Sequence, residues 1–248
     1  MFRYLKIIIK KIVNICLVFI FLPVDYFKFI KQNDNRFVLK LINFFPCLKD
    51  KTSFTGFEPH YTYHPAWAAR VVAKLKPEYH VDISSTLNFC TIVSAFCKVR
   101  FFDFRPANLK LDNLEIGRAD LTSLDFDDNS LNSLSCMHVV EHIGLGRYGD
   151  PIDPQGDLKA ISELSRVVSY GGSLLFVVPI GIKKLAFNAH RIYSYSQVLS
   201  YFPGFSLKEF VLIPDDAVEN GLVYNAPEEM VNKQKWGCGC FWFVKDIK

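Results

Sequence analysis

The sequence has no CxxC pair, and its cysteines (Cys16, Cys47, Cys90, Cys97, Cys136, Cys238 and Cys240) are odd in number. That excludes the ligand spacing of a zinc ribbon and argues against a disulfide framework, so the thiols read as reduced and mostly buried. No apolar run reaches the ~20 residues of a membrane-spanning helix. The run 12–22 is broken by Asn14 and followed by Pro23, and no small-x-small cleavage site comes after it, so it does not read as a secretory leader. Internal repeats and low-complexity tracts are also missing. With half of the residues apolar and 15% aromatic, the chain has ample material for a core, which excludes general disorder.

Charge is uneven. Residues 1–50 hold nine Lys or Arg against three acids, a net +6, while the whole chain is only +4, leaving the remainder at −2. The folded body is therefore not a nucleic-acid binder. The basic, aromatic stretch Tyr26-Phe27-Lys28-Phe29-Ile30-Lys31 suits two roles. Residues 1–31 either lie on an anionic membrane surface or pack on the domain that follows. The expected organisation is a helical extension and linker over 1–60 and one α/β domain over 61–248, cytoplasmic, with peripheral membrane contact through the extension.

Pro65 to Leu75 reads as a helix. Beyond Pro77 strands and helices alternate: strand Tyr79–Ile83, helix Phe89–Ala95, strand Val99–Asp103, a short strand at 114–117, and strand Leu131–Met137. An amphipathic helix Asp157–Val168 follows, with Leu158, Ile161, Leu164 and Val168 on one face, then a break at Gly171-Gly172. Ser173–Val178 is apolar throughout, as at the centre of a parallel sheet. A helix at 196–201 and strands at 207–213 and 240–244 complete the pattern. Alternation of this kind predicts a Rossmann-like, doubly wound, mostly parallel seven-stranded sheet.

In such sheets ligands sit beyond the carboxyl ends of the strands. Asp82 lies in the first strand, followed by Ser84, Ser85 and Thr86. Asp103 ends the second, Asp120 follows the third, and His138, Glu141 and His142 follow the fourth. This order resembles the class I S-adenosylmethionine-dependent methyltransferases. Their second-strand acid matches Asp103, and their Asp-apolar pair matches Asp120-Leu121. The run Leu124–Leu131 is similar to "L-P-F-x-D-x-S-F-D", Val139-Val140-Glu141-His142 to "V-L-E-H", and Leu164–Leu174 to "L-x-R-V-L-K-P-G-G-x-L". The stretches 138–160, 187–193 and 236–241 further resemble a family called domain of unknown function 268, which implies this fold but no settled substrate.

The resemblance implies S-adenosylmethionine as cofactor, bound by Asp82, Ser84, Ser85, Asp103, Asp120, Leu121 and His138. A carboxylate such as Asp103 can accept hydrogen bonds from both ribose hydroxyls, Asp120 can receive the adenine amino group, and Leu121 can pack on the ring. If the acceptor is a hydroxyl, a base is useful, and His142 or His190, with Glu141, fits that role. Arg147, Tyr148, Asp150 and Arg191 form a polar, aromatic loop suited to a small or carbohydrate-like acceptor. The sequence departs from the pattern at the first-strand turn, where serines and a threonine replace glycines that reach positive φ cheaply.

Two other readings remain. The missing glycines also suit a non-catalytic binding or scaffold module on the same fold. His138-Val139-Val140-Glu141-His142 fits the H-x-x-E-H motif of inverted zinc peptidases, which requires one helix face to carry both histidines. Gly144, Gly146, Gly149 and Pro151 interrupt any helix there, and Asp150, Asp153 and Asp157 match no calcium loop, so no metal is expected.

Overall fold

The computed structural model describes residues 22–32, 36–47 and 50–247. The expectation for residues 1–21 lies outside them. The chain divides into two compact units, Met1–Gly56 and Phe57–Lys248. In the first, residues 22–32 are helical (α1), with Val24, Phe27, Phe29 and Ile30 exposed, and Leu41–Asn43 forms a 3-10 turn. Among the described residues no helix is long and apolar enough to cross a membrane.

The second unit opens with α2 (Pro59–Leu75), six residues earlier than its sequence suggests. Proline favours the first helical position, and both Pro59 and Pro65 compete for it. The Glu58 side chain decides in favour of Pro59 by accepting from Tyr61 N at 2.6 Å. Lys76, in the left-handed region at φ 48°, ends the helix before Pro77.

The chain then runs through β1 (Tyr79–Ile83), α3 (Leu87–Val93), β2 (Lys98–Asp103), β3 (Leu114–Arg118), β4 (Leu131–Met137), α4 (Gly156–Val167) and β5 (Val168–Ile180). A hairpin of β6 (Lys184–Ala186) and β7 (His190–Ile192) leads to α5 (Tyr195–Ser200) and β8 (Phe205–Ile213). The short elements α6 (Ala217–Asn220), β9 (Val223–Tyr224) and α7 (Glu228–Asn232) precede the final strand, β10 (Gly237–Lys245). Gly171-Gly172 does not break the chain as expected. The register of β5 against β4 shifts there, and Gly171 takes φ 76°, so a bulge carries the strand through.

The main sheet has the order β3-β2-β1-β4-β5-β10-β8-β9. The first five strands are mutually parallel, and β10 pairs antiparallel with both β5 and β8. Seven strands make the expected doubly wound sheet, and the two-residue β9 adds an edge. Strand alternation feeds two cores. Leu174, Phe176 and Val178 of β5 meet Ile161 and Leu164 of α4 and Val198 of α5. Leu175 and Val177 face the opposite layer with Trp67 and Val71 of α2 and Phe89 and Val93 of α3. Cys238 and Cys240, two apart on β10, share that second layer. The chain leaves β1 towards β2 and β3, then returns to β4 on the other side of β1. That reversal opens a crevice at the carboxyl ends of these strands.

Candidate functional site

A cavity of about 440 Å³ occupies that crevice, within the roughly 300–1,000 Å³ usual for small-molecule sites. Its sheet-side wall is built from Ser84 after β1, Asp103 at the end of β2, Asp120 and Leu121 after β3, and His138 after β4. The opposite wall comes from the loop before α4, with Ile143, Gly144, Tyr148, Asp150 and Asp153.

The two acids at the sheet edge are held by their own loops. One Asp103 oxygen accepts from Arg105 N at 2.6 Å, and Asp120 accepts from the backbone and hydroxyl of Thr122 at 2.8 and 2.7 Å. Leu121 is buried and adds an apolar side chain to the same wall. Ser84 stands where the resemblance would place a glycine, and its backbone takes the left-handed conformation at φ 56°, with its N–H bonded to Phe102 O at 2.7 Å. The turn is thus made in glycine's conformation by a residue that pays for it, at about 1–2 kcal/mol.

Asp82 does not line the cavity. Its side chain is fully buried, accepts from the Ser135 hydroxyl and from Ser85 N, and is pushed up to about 7 by burial. Because Ser135 donates to Asp82, it accepts from Nε2 of His80 at 2.9 Å, and Ser133 completes the chain at Nδ1, 2.8 Å away. The period of the strand is the reason: Asp82 points into the α3 layer with His80, while Val81 and Ile83 point to the other. Ser85 is likewise engaged, its hydroxyl accepting from Met137 N at 3.1 Å, and lies outside the cavity wall.

Beyond β4, His138 takes φ 58° and Val140–His142 forms one 3-10 turn. The helical face that an H-x-x-E-H zinc site requires is absent. Glu141, buried and 1% exposed, instead sits between the two imidazoles, with Oε1 at 2.8 Å from His138 Nδ1 and 3.7 Å from His142 Nε2. His142 lines the cavity and donates from Nδ1 to Ala189 O at 2.6 Å, which leaves Nε2 as its basic nitrogen. His190 lies apart from the wall, stacked edge-on against Trp236 at 4.0 Å, and burial lowers its proton affinity.

The loop is organised by Asp150, which accepts from Gly144 N at 2.7 Å, Gly146 N at 3.3 Å and Tyr148 N at 3.2 Å while lining the cavity. Gly144 is required: its φ is 78°, and a Cβ would lie 1.9 Å from Asp153 O. Arg147 reaches Ala189 O at 3.0 Å and stacks over Tyr148, and Arg105 stacks over the same ring at 4.8 Å. Arg191 braces the loop from behind, donating to Ile143 O at 2.7 Å and pairing with buried Asp157 at 3.4 Å, and does not line the cavity.

Sequence reasoning missed Phe104, Arg105, Thr122 and Lys159 among the lining residues. It also passed over His60 and His64, which pack against His138 from α2. Their four-residue spacing on a helix was the available signal.

Residues 100–214 match the family described as "Caenorhabditis protein of unknown function, DUF268". No curated protein matches the chain. Among solved structures, the Burkholderia thailandensis 1,6-didemethyltoxoflavin-N1-methyltransferase, bound to 1,6-didemethyltoxoflavin and S-adenosylhomocysteine, is similar at TM-score 0.54 and 10% identity. The match covers 75% of this chain and 79% of that one. The N-methyltransferase NodS from Bradyrhizobium japonicum WM9, in complex with S-adenosylhomocysteine, is similar at TM-score 0.53 and 11% identity, covering 76% and 88%. This chain carries the DUF268 match on the fold of the class I S-adenosylmethionine-dependent methyltransferases.

Proposed function

We propose that the cavity binds S-adenosylmethionine and that the chain transfers its methyl group to a small or carbohydrate-like acceptor. The observation that carries this reading is the placement of Asp103, Asp120 and Leu121, from the ends of two neighbouring strands, on one wall of a 440 Å³ cavity at the topological switch point. Two carboxylates flanking an apolar surface suit a nucleoside: Asp103 would accept from the ribose hydroxyls, Asp120 from the adenine amino group, and Leu121 would pack on the base. Ser84, already in the left-handed conformation, would let the backbone approach the amino-acid end. When bound, the cofactor supplies a methyl group on an activated sulfonium, so the protein's work is alignment and proton handling.

His142 is the best-placed base. Its Nδ1 proton is held by Ala189 O, its Nε2 is the basic nitrogen, and Glu141 lies beside that nitrogen to balance the charge once a proton arrives. Tyr148, with Arg105 and Arg147 stacked against it, gives the rim an aromatic and cationic face suited to a hydroxylated acceptor. In the first unit, Phe27 and Phe29 stand exposed beside Lys28 and Lys31, which supports peripheral contact with an anionic membrane.

The second reading, a non-catalytic module, is favoured by Ser84 in place of glycine. Thermal melting of the full chain with millimolar S-adenosylmethionine or S-adenosylhomocysteine separates the two. A rise in melting temperature with both supports the methyltransferase, and no shift with either supports the module.

A further inference from the structure

We propose that His60, His138 and Cys238 form a binding site for a divalent transition metal of zinc's ligand preference. The three residues come from the start of α2, the loop after β4 and the start of β10, and one donor atom of each lies within 4.8 Å of the other two. Zinc–nitrogen bonds of ~2.0–2.1 Å and zinc–sulfur bonds of ~2.3 Å put tetrahedral ligands roughly 3.5 Å apart, so modest side-chain rotation closes the set.

Four features point to a cation there. First, His138 Nδ1 donates to Glu141, which leaves its Nε2 lone pair facing inward, and that nitrogen is buried without a partner. A histidine oriented by a carboxylate through its other nitrogen is the usual outer-shell arrangement of a zinc ligand. Second, unpartnered buried polar atoms concentrate here. Of the five among the described residues, four are His138 Nε2, both ring nitrogens of His64, and Glu141 Oε2. An absent ion is a standard explanation for such atoms. Third, the donor set is two neutral imidazoles and a thiol, a borderline-soft combination that selects zinc over calcium or magnesium. Fourth, the charges balance: a Cys238 thiolate and the Glu141 carboxylate offset a divalent ion in a site where Cys238 is fully buried.

Binding deprotonates Cys238, and the proton leaves to solvent. The fourth coordination position falls to His64 or to a water hydrogen-bonded to it, which gives a His64 nitrogen its partner. His138 also lines the cavity, whereas His60 and Cys238 do not. Local sequence pattern does not reveal this site, because Cys238 is 100 residues from His138 and 178 from His60.

The test is titration of the metal-stripped full-length chain with cobalt(II) alone, without cofactor, so that its outcome is independent of the methyltransferase reading. One cobalt per chain, with a sulfur-to-cobalt charge-transfer band that zinc abolishes, is expected. Cys238→Ser should remove the band, while Cys240→Ser, altered on the same strand face, should retain it. Glu141→Gln should weaken cobalt binding about 10–100-fold with the band intact. Should Cys238→Ser fail to fold by circular dichroism, His60→Gln takes its place and should lose stoichiometric binding. A folded parent chain without the band, a band unchanged in Cys238→Ser, or full binding in His60→Gln would overturn the proposal.

Discussion

Glu141 Oε1 lies 2.8 Å from Nδ1 of His138, and the same oxygen lies 3.7 Å from Nε2 of His142. One buried carboxylate thus orients the imidazole at the end of β4 and stands beside one that lines the cavity. If His142 is the base, His142→Asn should lower kcat for methyl transfer about 100-fold and leave the dissociation constant for S-adenosylmethionine within twofold. Steady-state kinetics combined with direct cofactor titration reads both. A matching loss of cofactor affinity would make His142 a binding residue instead.

Stability should fall steeply in acid. Burial lowers His60 to about 4 and His80 to about 3, and holds His64 well below its ordinary value. In the unfolded chain each takes up a proton below about 6.5, so all three contribute stability that is lost as pH falls through that value. Asp82 acts in the other direction. Its folded value of about 7 lies above the unfolded one, so its contribution is lost as pH rises from about 4 to 7. The lowered histidines outnumber the one raised carboxylate, so unfolding takes up protons near pH 5 and stability falls with pH, by about 1.4 kcal/mol per pH unit for each net proton. Denaturant midpoints of the metal-stripped chain between pH 4.5 and 6 test this, and Asp82→Asn should steepen the slope.

Gly144→Ala should cost about 2–4 kcal/mol, because the added methyl group meets the Asp153 carbonyl in a backbone conformation that alanine resists. Urea denaturation measures the loss. Where the variant remains folded, the far wall of the cavity is displaced and cofactor affinity should fall with it.

Arg191→Ala should destabilise the chain by about 3 kcal/mol, because it leaves buried Asp157 without its cation and held by the Tyr193 hydroxyl alone. Its effect on stability should exceed that of Arg147→Ala, whose side chain is exposed. The comparison distinguishes a brace behind the loop from an exposed residue of the loop, and equal stabilities for the two variants would contradict the assignment.

How far the sequence was legible follows from what each signal encodes. Alternation after Pro77 was enough for the sheet, because buried parallel strands such as Ser173–Val178 are apolar throughout and turn residues punctuate them. Asp103, which ends β2, and Asp120, two residues beyond β3, were readable at the crevice because the carboxyl ends of strands in this topology open onto it. Asp82 misled for a reason of parity: one residue before the strand's last position, it points into the α3 layer, and no motif reports which face a side chain takes. The start of α2 was hidden because Pro65 resembles a first-turn proline, whereas the cap that matters is Glu58. Arg191 looked like a ligand-binding cation but spends its donors on loop carbonyls, a pairing set by tertiary structure. The approach of His60, Cys238 and His138 depends on three distant segments converging, which local pattern does not carry.

If Asp103 holds a nucleoside in the crevice, its carboxylate should set the affinity for S-adenosylmethionine. Calorimetric titration of S-adenosylmethionine into the parent chain and into Asp103→Asn addresses it most directly. One site per chain is expected in the parent, with an affinity about 10- to 150-fold weaker in the variant, the value of lost hydrogen bonds to a charged acceptor. Equal affinities in the two proteins, or no binding heat in the parent at millimolar cofactor, would contradict it.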